Sequence, residues 1–183
     1  LERFGSTKIS DFRGVSENDA KAIINVAEVI SEAAESLAKT KTGALIVVER
    51  STKLGEHLSH GVILNADMSA LLIRNIFFDK APMHDGAMII RSKRVYAAGC
   101  YLPLSNADVN KDLGTRHRAA VGISEVSDSM TLIVSEESGA ISVAHSGTLY
   151  RNLDSEGLKK QLSRLQNKTS ETKRFRRRGG KKN

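Results

Sequence analysis

The 183-residue chain has no tryptophan, one cysteine and two prolines, and aromatic residues make up 4% of it. A lone thiol, Cys100, cannot close an internal disulfide, so nothing in the sequence requires an oxidising compartment. Set in an apolar run, Cys100 reads as a small core filler. No stretch approaches the roughly twenty apolar residues that a membrane span needs, and there is no secretory signal. The chain opens at Leu1, which leaves room for upstream sequence and for a membrane anchor within it. The Gly-x-x-x-x-Gly-Lys-Ser/Thr and Gly-x-Gly-x-x-Gly phosphate loops are absent, as is the Gly-x-Ser-x-Gly nucleophile elbow. Few aromatic side chains also means few stacking platforms for single-stranded nucleic acid.

Charge is present but unevenly spread. The net charge of +7 comes from 28 Lys and Arg against 21 Asp and Glu. Eight of those cations, but only one of the acids, lie from Lys168 onward, so the remainder of the chain is balanced. The basic tail reads as a solvated, disordered segment; contact with anionic lipid or nucleic acid is the other reading. A nucleic-acid-binding protein led by this tail would lose binding steeply with salt, and entirely on removal of the residues after Asn167.

The length suits one domain with a tail. Residues 1–15 carry no strong period, residues 16–167 form the domain, and residues 168–183 the basic tail. Ser16 and Asp19 make a weak capping pair, after which Ala20, Ile23, Ile24, Ala27, Ile30, Ala34, Leu37 and Ala38 keep helical spacing to about Thr40. Ala44–Val48 is a continuous apolar, β-branched run, hence a strand buried on both faces. Residues 51–67 read as loop, with room for a short strand at Val62–Leu64; Ser69–Phe78 reads as a helix ended by Ala81-Pro82. Ala87–Ile90 and Val95–Leu102 flank a polar hairpin turn. Leu104–Leu113 is loop, Thr115–Glu125 helix, Met130–Val134 and Ala140–His145 strands, and Asp154–Leu165 a last amphipathic helix. The mixture predicts an α/β fold, a mixed central sheet with helices on both faces.

Two stretches carry chemistry. In Met83-His84-Asp85-Gly86-Ala87, polar residues precede a buried strand on a glycine turn, where backbone can approach a ligand closely. On its own Asp85-Gly86 reads as an ordinary turn; with a phosphate site nearby, a carboxylate and an imidazole suit a divalent ion. Gly114-Thr115-Arg116-His117-Arg118 opens a helix, so its N–H groups and arginines suit phosphate; a solvated basic turn fits the spacing equally. Arginines two apart do not share a helix face, so both reach one ligand only if the chain turns there or the ligand is long. Glu136-Glu137 closes a strand, where a solvated acid and a metal ligand are both open. Tyr101 and Leu102 fit either the core or the edge of a base. His57 and His60 lack a third ligand and read as surface positions, and His145 as structural.

Taken together, Asp85-Gly86-Ala87 ahead of an apolar strand, the Gly-Thr-Arg-His-Arg run, Gly43-Ala44-Leu45-Ile46-Val47 and Val134-Ser135-Glu136-Glu137-Ser138-Gly139 resemble the diadenylate cyclase (DAC) domain family from about residue 16 to residue 165. Leu1-Glu2-Arg3-Phe4-Gly5 resembles the segment after the transmembrane helices of the membrane-anchored, CdaA-like type. The resemblance therefore implies a soluble fragment of an enzyme held at the cytoplasmic face of the cell membrane. It implies condensation of two ATP into cyclic di-AMP with release of two pyrophosphates, assisted by Mn²⁺ or Mg²⁺, across a face-to-face homodimer.

Residue by residue, the resemblance implies Asp85 as the essential acid, with His84 and Glu137 as further metal ligands. Gly86 and Ala87 would line the ribose. Tyr101 and Leu102 would contact adenine, Leu102 through its backbone. Gly114, Thr115, Arg116, His117 and Arg118 would hold the phosphates, with Ser135 close by. Arg116 and Arg118 would also act in catalysis. Met83 and Met88 depart from the leucine and valine expected, in packing roles that methionine tolerates. No nucleic-acid partner is implied, and there is room for regulatory protein partners. The rival is a nucleotide-binding regulatory module without turnover, against which the acid beside the phosphate site argues.

Overall fold

A computed structural model describes residues 26–106 and 114–165. The expected Ser16–Asp19 cap, the start of the first helix, most of the 104–113 loop and the basic tail lie outside them. The elements are α1 (Val26–Lys39), β1 (Ala44–Val48), β2 (Val62–Asp67), α2 (Ala70–Ile76), β3 (Ala87–Arg91), β4 (Arg94–Cys100), α3 (Thr115–Val126), β5 (Met130–Val134), β6 (Ile141–His145), β7 (Thr148–Tyr150) and α4 (Ser155–Leu162). The strands form one sheet in the order β2-β4-β3-β1-β5-β6-β7. Only β1 and β3 are parallel (Ile46 opposite Met88); every other neighbouring pair is antiparallel. The α/β reading with a mixed sheet stands.

Strand periodicity sorts the core into two layers. Ile46, Met88, Ile90 and Leu132 face α1, α2 and α4, where Ile30, Leu37, Ile73, Phe77, Leu158 and Leu162 are buried. Leu45, Val47, Ile89 and Ile133 face the opposite way, onto Ala119, Ala120 and Ile123 of α3. Helices therefore cover both faces, three on one and one on the other. Cys100 is a free, buried thiol within the α3 layer, as its apolar context predicted.

Differences from the sequence reading fall at the sheet edges. β2 runs through Asp67 rather than stopping at Leu64, because an edge strand exposed at Val62, Ile63, Asn65 and Asp67 has no apolar alternation to reveal it. Its pairing with β4 is also broken by a register shift between Ile63 and Ala66. β7 is only three residues long and was not anticipated beyond the turn at Gly147. Two-residue turns close the β3–β4 and β6–β7 hairpins, Ser92-Lys93 (φ 50° and 63°) and Ser146-Gly147 (φ 51° and 73°), the left-handed pairs that match strand twist. β4 ends at Cys100; beyond it Tyr101 forms an isolated bridge to Ser59.

Two backbone approaches fix the frame. Gly86, at φ +104°, launches β3 so close to β4 that a Cβ would sit 2.8 Å from the Cys100 carbonyl oxygen and 2.9 Å from the Gly99 carbonyl carbon. Gly122 on α3 lies under the 103–105 strap, where a Cβ would be 2.3 Å from the Pro103 oxygen. The strap is pinned there by Ser105 N–H donating to the Arg118 carbonyl (3.1 Å) and the Ser105 hydroxyl to Glu125 (2.7 Å).

At the far end of β1 the Glu49 carboxylate, 1% exposed, accepts both Arg91 Nε–H and Nη2–H at 2.8 Å, Lys53 Nζ at 3.0 Å and Leu54 N–H at 3.0 Å. Arg91 also stacks over the Tyr96 ring at 3.7 Å. Burial alone would raise the Glu49 pKa, but these donors outweigh it and hold the carboxyl below its ordinary value. Its ionised form thus contributes stability in full above the ordinary carboxylate pKa, and this is lost as the pH falls through the lower folded value. Glu49→Gln is expected to cost about 3 kcal/mol by stranding Arg91, and to flatten the acid limb of a pH–stability profile measured by thermal unfolding. Gly86→Ala should cost about 1–3 kcal/mol in the same measurement, because left-handed backbone and a backbone clash coincide there.

Candidate functional site

Strand register gathers the predicted residues at one end of the sheet. Ala87 pairs with Cys100, β1 runs parallel to β3, and Ala44 pairs with Val134. The starts of β3 and β1 and the ends of β4 and β5 therefore lie side by side. They carry, in spatial order, Tyr101-Leu102, His84-Asp85-Gly86, Gly43 and Ser135-Glu136-Glu137.

Beside the β5 end, Gly114, Thr115, Arg116, His117, Ser135, Glu136 and Glu137 line a cleft of about 200 Å³, closed by Arg151 and Asn152 after β7. Gly114 is the N-cap of α3 and has no side chain to offer; its carbonyl takes the N–H groups of His117 (3.1 Å) and Arg118 (3.3 Å). Those of Thr115 and Arg116 are given no partner by the described residues, so a bare, dipole-positive helix end faces the cleft. Arg116 reaches across to Glu136, Nη1–H to Oε2 at 2.6 Å, while its Nε is buried with no partner. Arg118, two residues on, does not line this cleft, as helical geometry requires.

His117 is half-buried in the cleft wall. Burial, reinforced by the Arg151 charge, pushes its imidazole below the ordinary pKa, against the upward pull of Glu137. Burial and the Arg151 charge both favour the neutral ring. Ser135 shapes the β5–β6 turn, its hydroxyl accepting from Ser138 N–H (3.3 Å) and its carbonyl from Gly139 N–H (2.9 Å).

The β3 side is open. Asp85 is exposed and its carboxylate meets no described donor. His84 Nδ1 lies 2.6 Å from the Ala81 carbonyl, which can only accept, so Nδ1 is the donor of this hydrogen bond and Nε2 is the ring nitrogen left for another partner. Ala87 is fully buried, so it presents no accessible surface to a ligand, against the ribose-lining part expected of it. β4 and the backbone angle by themselves already require glycine at position 86. Tyr101 is 49% exposed, its ring 5.0 Å from that of His60, while Leu102 packs partly on the α3 layer with no described partner for its backbone.

The donor set of His84, Asp85 and Glu137, one imidazole and two carboxylates, suits Mn²⁺ or Mg²⁺ in kind. It is not gathered into one centre: among the described residues no three His, Cys, Asp or Glu converge on a metal position. His84 and Asp85 precede β3 and Glu137 follows β5, with β1 between, about 10 Å across two strand spacings.

Arg151 and Asn152 escaped the sequence reading. They follow a three-residue strand with no apolar signature, and Asp154, which caps α4, is the nearest sequence signal. The expected surface His57 and structural His145 are a half-buried turn residue and a buried one.

Comparison with known proteins agrees with this frame. Cyclic di-AMP synthase CdaA of Bacillus subtilis is 46% identical over 163 residues, 88% of this chain and 59% of that protein. A diadenylate cyclase of Listeria monocytogenes is 47% identical over 136 residues, 74% of this chain and 50% of that protein. The chain thus spans about half to three-fifths of the length of these relatives. In structure it resembles a double mutant of DacA from Staphylococcus aureus, at a TM-score of 0.73 and 43% identity over 81% of this chain and 97% of that one. It also resembles a hypothetical membrane spanning protein from Bacillus cereus, at a TM-score of 0.68 and 43% identity over 70% of this chain and 63% of that one. Among the described residues no helix is long and apolar enough to cross a membrane. The family pattern described as DisA bacterial checkpoint controller nucleotide-binding matches residues 31–149, and the chain belongs to this DAC family.

Proposed function

We propose that the domain is a diadenylate cyclase, condensing two ATP into cyclic di-AMP and two pyrophosphates. One observation carries the reading. An exposed, unengaged carboxylate, Asp85, shares a sheet end with an uncapped helix N-terminus whose Arg116 keeps a buried N–H unpaired. The first suits a hydroxyl to be activated, the second a polyphosphate.

In this reading the triphosphate lies along the start of α3. Thr115 and Arg116 N–H groups, the Arg116 guanidinium and the His117 ring hold it, and Arg151 adds charge from the far wall. Arg118, on another face of α3, meets a different part of the nucleotide. Tyr101 offers a ring face to adenine and Leu102 its unpaired backbone groups. Asp85 accepts a hydrogen bond from a ribose 3′-hydroxyl and takes its proton as the oxygen bonds to an α-phosphorus; the bond to the pyrophosphate oxygen breaks, and the pair leaves on pyrophosphate. His84 and Asp85 ahead of β3 and Glu137 after β5 are the residues that would hold a divalent ion, which would neutralise charge on the phosphates.

The product has two-fold symmetry, and each 3′-hydroxyl must meet the other nucleotide's phosphate. A second copy facing the first satisfies both. Such a dimer also allows ligands separated on one chain to be completed from two. Attachment to the cytoplasmic face of a membrane through sequence ahead of Leu1 fits the CdaA likeness.

Incubating the chain with ATP and Mn²⁺ or Mg²⁺, and resolving nucleotides by chromatography with mass detection, should give cyclic di-AMP and pyrophosphate only with metal. ATP binding without product under either ion would leave a regulatory module. Asp85→Asn should abolish product while ATP binding, followed calorimetrically, persists. Arg116→Ala is expected to weaken that binding by about 1.5–3 kcal/mol, the worth of a charged hydrogen bond. Specific activity should climb with protein concentration; a flat profile would mean a tight dimer or chemistry within one copy.

A further inference from the structure

Two consecutive acids, Glu136 and Glu137, lie in the turn after β5, and they do not stand in the same relation to the cleft. Glu137 acts on His117 through space. Glu136 is bonded to Arg116, and nothing in the family resemblance gives it a part. We propose that Glu136 is a positioning residue that sets nucleotide affinity through Arg116: its carboxylate occupies the guanidinium in the empty site and gives it up to an incoming phosphate. This rests on reading the cleft as the ATP site.

Four observations support it. The contact is short, 2.6 Å, and charge-assisted. Its two ends differ in exposure: the Arg116 side chain is 21% exposed and the Glu136 side chain 62%, so the acid can swing into water while the cation stays in the wall. Glu136 has no other partner among the described residues, so nothing but Arg116 holds it inward. Arg116 Nε remains buried and unpaired despite the ion pair, so Glu136 satisfies the guanidinium only in part and leaves a donor that a phosphate oxygen can take.

The seat of the pair is also cleared for it. A Cβ on Gly43 would lie 2.9 Å from Arg116 Nη1, 3.0 Å from its Cζ and 3.0 Å from Glu136 Oε2. The ion pair rests on bare backbone just ahead of β1, next to the β3 start that carries Asp85. Any side chain at 43 would displace both partners together.

The physical consequence is graded competition. An ion pair whose acid is mostly exposed is weak, so a polyphosphate wins the guanidinium readily, whereas a single small anion gains little by displacing the carboxylate. When pyrophosphate leaves, Glu136 returns and the guanidinium is not left as an unpaired charge. Glu136 therefore lowers affinity modestly and eases turnover of anions at Arg116.

A double-mutant cycle tests this. Binding of α,β-methylene ATP, which cannot be cyclised, is measured by calorimetry for the unaltered chain, Glu136→Gln, Arg116→Gln and the pair together. Glu136→Gln alone should tighten binding about twofold to fivefold, the range set by an exposed ion pair. In the Arg116→Gln background the same change should have no effect. In steady-state turnover Glu136→Gln should lower KM for ATP without raising kcat, a split that loss of folding would not produce. Unchanged or weaker binding by Glu136→Gln overturns the proposal. So does tightening of equal size with and without Arg116, which would mark a simple field effect of the lost charge. Failure of the unaltered chain to bind the analogue is a separate result: it removes the nucleotide reading of the cleft, and this inference with it.

Discussion

Everything at the candidate site depends on how β1 is paired. It runs parallel to β3 on one side and antiparallel to β5 on the other, each fixed by residues buried on both faces. A parallel pair brings the starts of β1 and β3 to one end; an antiparallel pair brings the end of β5 to meet them. A helix-flanked sheet with only antiparallel neighbours would have sent Asp85 and Glu136 to opposite ends of β1. Register is held where side chains are buried on both faces, since a one-residue slip would exchange the two apolar layers.

The two ends of the sheet are treated electrically in opposite ways. At the far end Glu49 is surrounded by Arg91, Lys53 and a backbone N–H, and no capacity is left over. At the near end Arg116 is half-satisfied, Asp85 is free of described partners and the first N–H groups of α3 are open. Burying a charge costs free energy unless it is paired, so the satisfied end contributes stability and the unsatisfied end has a use for a ligand. The distinction is visible without any bound molecule.

The centre of the fold was legible in the sequence because buried strands and amphipathic helices leave periodic signals. Ala44–Val48, Met130–Val134 and the α1 stripe of Ile30, Ala34 and Leu37 fell where their patterns placed them. The rim was not. β2 shows most of its residues to solvent, and β7 is too short to have a period. In the site, contiguous motifs such as Gly114–Arg118 were readable because neighbours in sequence remain neighbours in space. Arg151 was not, since it reaches the cleft from after a strand with no signature. Nor was the partnership of Arg116 with Glu136 over Gly43, which joins three separate stretches through tertiary packing. Spacing alone had shown that Arg116 and Arg118 diverge, and they do.

The strap over Gly122 has a mechanical meaning. It follows directly on Tyr101 and Leu102, and the helix beneath it begins with Thr115 and Arg116. Strap and helix touch backbone to backbone, with a gap too narrow for one methyl group. The spacing between the side that would face a base and the side that would face its phosphates is thus a hard stop rather than a cushion of side chains. Rotamer changes in the core cannot tune it, and a single added carbon under the strap would reset the calliper.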